Sequence, residues 1–179
     1  MKFGSWEINA VVDAMPQKVA TAMGELSETL VGASYEPIAY LGSQVVNGTN
    51  HAVLAKQTLI TGVDQVNIVI IKFSEREMTC SLYGIETILE GGPSFGGYNI
   101  NVVTGDDLTE EFMERFNAVT GGWVGATIVP VALVATKVVK GINEVYVCTV
   151  TPVVPNAKAT LKLVTINSTT KTIDFEDLL

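Results

Sequence analysis

The chain has few of the residues that support catalysis, metal binding or a disulfide scaffold. Its 179 residues include 2 cysteines, 1 histidine and 6 prolines. Two cysteines are too few for a disulfide scaffold, so Cys80 and Cys148 are expected to be free buried thiols. A single histidine, His51, leaves no cluster of His and Cys ligands for a transition metal and no nucleophile–histidine pair that both halves of the chain contain. We therefore expect a protein that is not an enzyme and needs no metal or other cofactor.

Basic residues are scarce as well. Eleven Lys and Arg residues against 19 Asp and Glu residues give a net charge of −8. Residues 1–90 carry 5 basic and 10 acidic residues, and residues 91–179 carry 6 and 9. Because neither half is basic, we expect no nucleic acid and no membrane as the main partner. No apolar run approaches the ~18 residues that span a bilayer, and residues 1–7 lack a signal-peptide hydrophobic region, so a cytoplasmic protein is expected.

What the chain does contain is a long internal repeat. Residues 32–50 and 125–143 are 93 positions apart and identical at 8 of 19 positions. A repeat of this length that occurs twice indicates two copies of a whole small domain, because a solenoid needs three or more short repeats. We place the two domains at residues 1–90 and 91–179, joined by the glycine-rich linker at residues 89–94.

Each copy predicts the same order of elements. Apolar residues spaced by three or four positions predict helices over residues 16–31 and 109–124. Long strands follow, joined by tight turns at Asn47-Gly48 and Lys140-Gly141, and Asn-Gly between apolar runs is a strong hairpin signal. A second hairpin in each copy turns at polar residues, which are 74–77 and 167–169. This β-α-β-β-β-β order predicts an α+β fold in which an antiparallel sheet of four or five strands wraps around one helix.

The first hairpin resembles a known inhibitory loop. Gln44-Val45-Val46-Asn47-Gly48 is similar to the Gln-x-Val-x-Gly loop of the cystatins, which inhibit papain-like cysteine proteases. Gly4 resembles the inhibitory N-terminal glycine of the stefins, the short cytosolic branch of that family. The resemblance implies two tandem cystatin-like domains, the first of which wedges its N-terminal segment and two hairpin loops into the protease cleft. The protease-binding residues it implies are Gly4, Gln44, Val45, Val46, Asn47, Gly48, Ser74 and Glu75.

Several departures from the cystatin pattern keep a second interpretation open. Residues 74–77 are polar, whereas stefins carry a Leu-Pro pair in this loop, and the second copy has Lys137 at the position of Gln44. The alternative is a non-inhibitory binding or structural protein that uses the duplicated fold as a scaffold. In that case the five-residue pattern is an ordinary hairpin turn. In either case the long hairpins favour a monomer or a domain-swapped dimer.

Overall fold

The chain divides into two compact units, Met1–Pro93 and Ser94–Leu179, which we call unit 1 and unit 2 and describe separately. The structure, a computed structural model, describes residues 4–9, 15–62, 64–92 and 97–179. The end of the predicted linker, residues 93–94, lies outside the described residues. In the part of the chain that is described, no helix is long and apolar enough to cross a membrane.

Unit 1 is a five-stranded antiparallel sheet with one α-helix on one face. The strands are neighbours in the order in which they follow one another in the chain, so each connection after the helix is a hairpin. Its elements are β1 (Trp6–Ile8), α1 (Gln17–Thr29), β2 (Ala33–Val46), β3 (Gly48–Ile60), β4 (Asp64–Arg76) and β5 (Thr79–Glu90).

Unit 2 repeats this order with shorter final strands. Its sheet has the order β10-β9-β8-β7-β6, which is again a meander of antiparallel neighbours. Its elements are β6 (Asn99–Thr104), a 3-10 turn (Gly105–Asp107), α2 (Glu110–Thr120), β7 (Ala126–Val139), β8 (Gly141–Pro152), β9 (Thr160–Asn167) and β10 (Thr172–Asp177).

The helices lie on the sheets through short apolar faces. In α1, Val19, Ala22, Met23 and Leu26 are buried, with the spacing of one helical face. They pack on alternate residues of the sheet, among them Val53, Ile71 and Phe73. In α2, Phe116 is buried and meets the ring of Tyr146 edge-to-face, with 4.9 Å between ring centroids.

The predicted fold class, two α+β domains each built as a sheet wrapped around one helix, is wrong. The structure is mostly β, since the described residues form two antiparallel five-stranded sheets and only two α-helices. Four consecutive residues are buried in the middle of the strands, 68–71 in β4 and 145–148 in β8. Because successive strand residues point to opposite faces, each sheet is apolar on both faces, and its helix accounts for only one of them. The strands are also longer than the helices can cover, since α1 has 13 residues and α2 has 11.

Candidate functional site

Three separate segments of unit 1 meet at one end of its sheet. They are Gly4, the turn at residues 46–48 between β2 and β3, and the turn at residues 76–79 between β4 and β5, and together we call them the unit 1 edge. The backbone N–H of Gly4 donates to the carbonyl of Val45 at 3.1 Å, and β1 continues this pairing from Trp6 opposite Gln44. The N-terminal segment is therefore held beside the first hairpin as a short strand.

The side chain of Gln44 strengthens this junction. Its Nε2 donates to the carbonyl of Gly4 at 2.8 Å, and its Oε1 accepts from Nδ2 of Asn50 at 2.9 Å. Gln44 thus joins the N-terminal segment to both strands of the first hairpin. Asn47 and Gly48 remain exposed at the turn.

Gly48 brings the two hairpins into close approach. Its φ is +110°, a conformation that side-chain-bearing residues rarely adopt. A Cβ atom at this position would lie 2.5 Å from the carbonyl oxygen of Glu75 and 3.0 Å from Cγ of Arg76. A glycine is therefore required both by the turn and by the neighbouring strand.

The second hairpin turns later than predicted and exposes an apolar residue at its apex. Ser74 and Glu75 lie in β4, and the turn is formed by Glu77 and Met78, whose φ values are +47° and +69°. Met78 is 82% exposed. The position of this turn is hard to predict from the residues, because neither is the Gly, Asn or Asp that usually adopts positive φ.

The predicted site residues divide between the two faces of the sheet. Val46 and Ser74 line a shallow depression together with Arg76 and Tyr83. Glu75, on the opposite face, points toward α1, where its Oε1 accepts from Nζ of Lys18 at 2.6 Å. All eight predicted residues lie at this end of unit 1, but the carboxylate of Glu75 is already engaged within the unit.

Glu75 belongs to a chain of hydrogen bonds that sequence reasoning missed. Nε2 of His51 lies 3.1 Å from Oε2 of Glu75, and Nδ1 of His51 lies 2.8 Å from the hydroxyl of Tyr40. Because an ionised carboxylate only accepts, Nε2 of His51 carries the proton that is donated to Glu75, and Nδ1 shares the second hydrogen bond with the Tyr40 hydroxyl. The chain Tyr40–His51–Glu75–Lys18 ties strands β2, β3 and β4 to α1 below the unit 1 edge.

Cys80 lies opposite Glu75 on β5, so this cluster contains a thiol, an imidazole and a carboxylate. Burial, followed by the charge of Glu75, raises the pKa of the Cys80 thiol, which keeps it protonated and weakly nucleophilic at neutral pH. Both ring nitrogens of His51 are taken by Tyr40 and Glu75. The arrangement therefore suits a structural network rather than an activated Cys–His pair. Among the described residues, no group of three His, Cys, Asp or Glu side chains is placed to hold a metal ion.

The network predicts an acid-sensitive contribution to stability. Lys18, and then His51, hold the pKa of Glu75 below its ordinary value of 4.5. A pKa lowered on folding contributes stability that is complete above the unfolded-state value and is lost as the pH falls through the folded-state value. We therefore expect Glu75→Gln to lower the free energy of unfolding at neutral pH and to have little effect in strong acid. Urea unfolding of both proteins across this pH range measures the difference, and a difference independent of pH would contradict the assignment.

Unit 2 has different side chains at the positions equivalent to His51 and Gln44. Glu144 takes the place of His51 and is 5% exposed, and its Oε1 accepts from Nε and Nη2 of Arg115 on α2 at 3.0 and 2.8 Å. Lys137, at the position of Gln44, lies over the ring of Tyr98 with 5.1 Å from Nζ to the ring centroid. The two units therefore share a fold and a helix-to-strand ion pair, but they present different groups at the ends of their hairpins.

Comparison of the chain with family models, with curated proteins and with solved structures finds no match in any of the three.

Proposed function

We propose that unit 1 binds the active-site cleft of a papain-like cysteine protease through the unit 1 edge and inhibits the protease by occupying the cleft. The observation that carries the proposal is the meeting of Gly4 and the two hairpin turns at one end of the sheet, with Gly48 packed against the backbone of Glu75. Three adjacent segments of this kind offer one continuous end of the sheet to the cleft. No bond is made or broken in such a mechanism.

The edge is rigid, which favours binding. Gly4 is fixed to β2 by two hydrogen bonds, one from its backbone N–H and one to its carbonyl. A binding surface that is already ordered loses less conformational entropy when the partner binds. Inhibition by this edge therefore needs no rearrangement of the sheet.

Met78 supplies the apolar anchor of the proposed interface. Interface energy is concentrated in a few residues that become fully buried, and an unbranched thioether adapts to pockets of irregular shape. Met78 is exposed at the apex of the second hairpin, where it lines a depression together with Lys18 and Thr21 of α1. We assign it the role of entering the protease cleft together with the backbone of residues 46–48.

The second candidate function is a non-inhibitory binding or scaffold protein, and the state of Gln44 favours it. Both polar ends of this side chain are used within the unit, by Gly4 and Asn50. On this interpretation, Gln44 and the two glycines shape a hairpin end, and the partner of unit 1 is not a protease.

Titration of papain with the whole chain separates the two candidates. We expect inhibition by the wild-type protein, and we expect Met78→Asp to raise the inhibition constant about tenfold or more, because a charge replaces a buried anchor. Val31→Asp is the matched control, since Val31 is fully exposed and precedes β2 at the opposite end of the sheet. Both residues are exposed, so both variants should fold.

The outcome of this titration is decisive in either direction. No inhibition by the wild-type chain at tens of micromolar, about 6–7 kcal/mol of binding, would remove the inhibitor proposal and leave the scaffold proposal. Equal losses in Met78→Asp and Val31→Asp would place the inhibitory surface elsewhere on the chain.

A further inference from the structure

The first hairpin of unit 2 ends in exposed aliphatic side chains. Val138 is 81% exposed, Val139 44% and Ile142 52%. Val138 lies directly opposite Ile142 in the β7–β8 ladder, so these two side chains stand on one face of the hairpin end. The equivalent residues of unit 1 are Val45 and Thr49, which are half-buried. Exposed aliphatic groups that cluster at one point of a surface mark a site of interaction.

Two lysines lie in the turns at this end of unit 2, although the protein is acidic. Lys140 is exposed in the β7–β8 turn, and Lys171 is exposed in the β9–β10 turn with a φ of +57°. The ion pairs of the described part of unit 2 join Arg115 to Glu111 and Glu144, and Lys162 to Asp177. Neither Lys140 nor Lys171 is among them. The two ammonium groups are therefore available to an external anion.

Asn167 locks the two turns together. This side chain is 3% exposed, and its Nδ2 donates to the carbonyl of Lys140 at 3.1 Å and to Oδ1 of Asn143 at 2.8 Å. Its Oδ1 accepts from the backbone N–H groups of Thr169 and Thr170, both at 3.0 Å. The aliphatic residues and the lysines are consequently held on one rigid end, which we call the lysine-flanked tip: Val138, Val139, Lys140, Ile142 and Lys171.

We propose that the lysine-flanked tip binds the surface of an anionic lipid bilayer. Aliphatic groups at the end of a projecting hairpin can enter the headgroup region, where buried apolar area and attraction to anionic lipids add. Neighbouring lysines are attracted to the anionic headgroups by their charge, and each lysine near the surface adds to the binding free energy. A protein groove is the less favoured partner, because the centres of protein interfaces are depleted in lysine and their strongest contacts come mainly from Trp, Tyr and Arg.

The acidic charge of the remaining chain determines how membrane binding should depend on lipid charge and on salt. The net charge of −8 repels an anionic surface as a whole, so attraction must come from the tip within about a Debye length, ~10 Å at 0.1 M salt. The proposal therefore predicts binding that depends on the anionic lipid and weakens as salt is added.

Sedimentation with lipid vesicles tests the proposal with the full chain. We expect the protein to pellet with vesicles of phosphatidylcholine and phosphatidylglycerol, but not with vesicles of phosphatidylcholine alone. Changing both Lys140→Gln and Lys171→Gln should weaken binding about thirtyfold. Changing both Val138→Ser and Ile142→Ser should weaken it about tenfold. Each altered side chain is exposed, so these variants should remain folded.

The matched control lies beyond the other end of β8. Val153 and Lys158 are also exposed, and changing Val153→Ser together with Lys158→Gln should leave vesicle binding unchanged. A control variant that loses as much binding as the tip variants would overturn the proposal. So would a wild-type protein that stays in the supernatant with both kinds of vesicle, which is the result expected if the tip binds the acidic groove of a protein.

Discussion

Replacing Gly48 by valine should lower the free energy of unfolding by about 3 kcal/mol, from two separate costs. A β-branched residue at the observed φ of +110° is strained, and its Cβ would lie 2.5 Å from the carbonyl oxygen of Glu75. That oxygen belongs to the backbone of β4, so the contact can be relieved only by separating the two hairpins. The same separation would break up the unit 1 edge, so we expect any inhibition by Gly48→Val to fall as well.

Gly62→Val isolates the strain from the contact. Gly62 also has positive φ, +79°, but a Cβ atom there would meet nothing within 4 Å. Its replacement should therefore cost only the backbone strain, about 1–2 kcal/mol. Urea unfolding followed by circular dichroism gives both values. If the two variants lose the same stability, the contact between Gly48 and β4 contributes nothing.

The sequence contained enough information to locate the helices and the first hairpin of each unit. The spacing of Val19, Met23 and Leu26 predicts the face that α1 buries, because side chains three and four positions apart share one face of a helix. The glycines at 48 and 141 predict tight turns because each turn needs positive φ. Both signals are local, since they depend only on neighbours in the chain.

The predicted fold class was wrong because it depends on contacts between residues that are far apart in the chain. Alternation of polar and apolar residues identifies a strand with one exposed face, but the buried runs of β4 and β8 do not alternate. One helix covers one face of a sheet, so it does not explain why both faces are apolar. Strand length also exceeded what the turn residues indicated, since β4 continues through Ser74 and Glu75 to Arg76.

The internal network was beyond prediction for a related reason. The order of the strands predicts that Tyr40, His51 and Glu75 belong to one sheet, but it does not predict that their side chains share a face. The reason is that β2 contains register shifts between Pro37 and Ala39 and between Tyr40 and Gly42. One such shift reverses the face on which every later side chain lies. The grouping of Gly4 with the first hairpin came from the resemblance to cystatins, and that resemblance stays a prediction.

The ion pair of unit 2 carries the other large expected effect. Glu144 is buried on β8, and Arg115 donates to it from two nitrogens while its Nη1 donates to Glu111 at 2.8 Å. The hydrogen bonds that Arg115 donates to Glu144 raise the pKa of the guanidinium, so this group stays charged beside the carboxylate. Arg115 is therefore the partner of the Glu144 carboxylate, which is buried away from water.

Arg115→Met should therefore lower the free energy of unfolding by about 3 kcal/mol, the usual cost of leaving a buried charge without its partner. Changing Glu144→Leu in the same protein should recover most of that loss, because two apolar side chains replace the pair and no charge remains to be desolvated. The four proteins of this cycle, compared by urea unfolding, give the coupling between the two residues directly. Additive losses would mean that Arg115 stabilises unit 2 through the contact of its guanidinium with the ring of Phe112, whose centroid lies 4.8 Å from the guanidinium carbon, and not by neutralising Glu144.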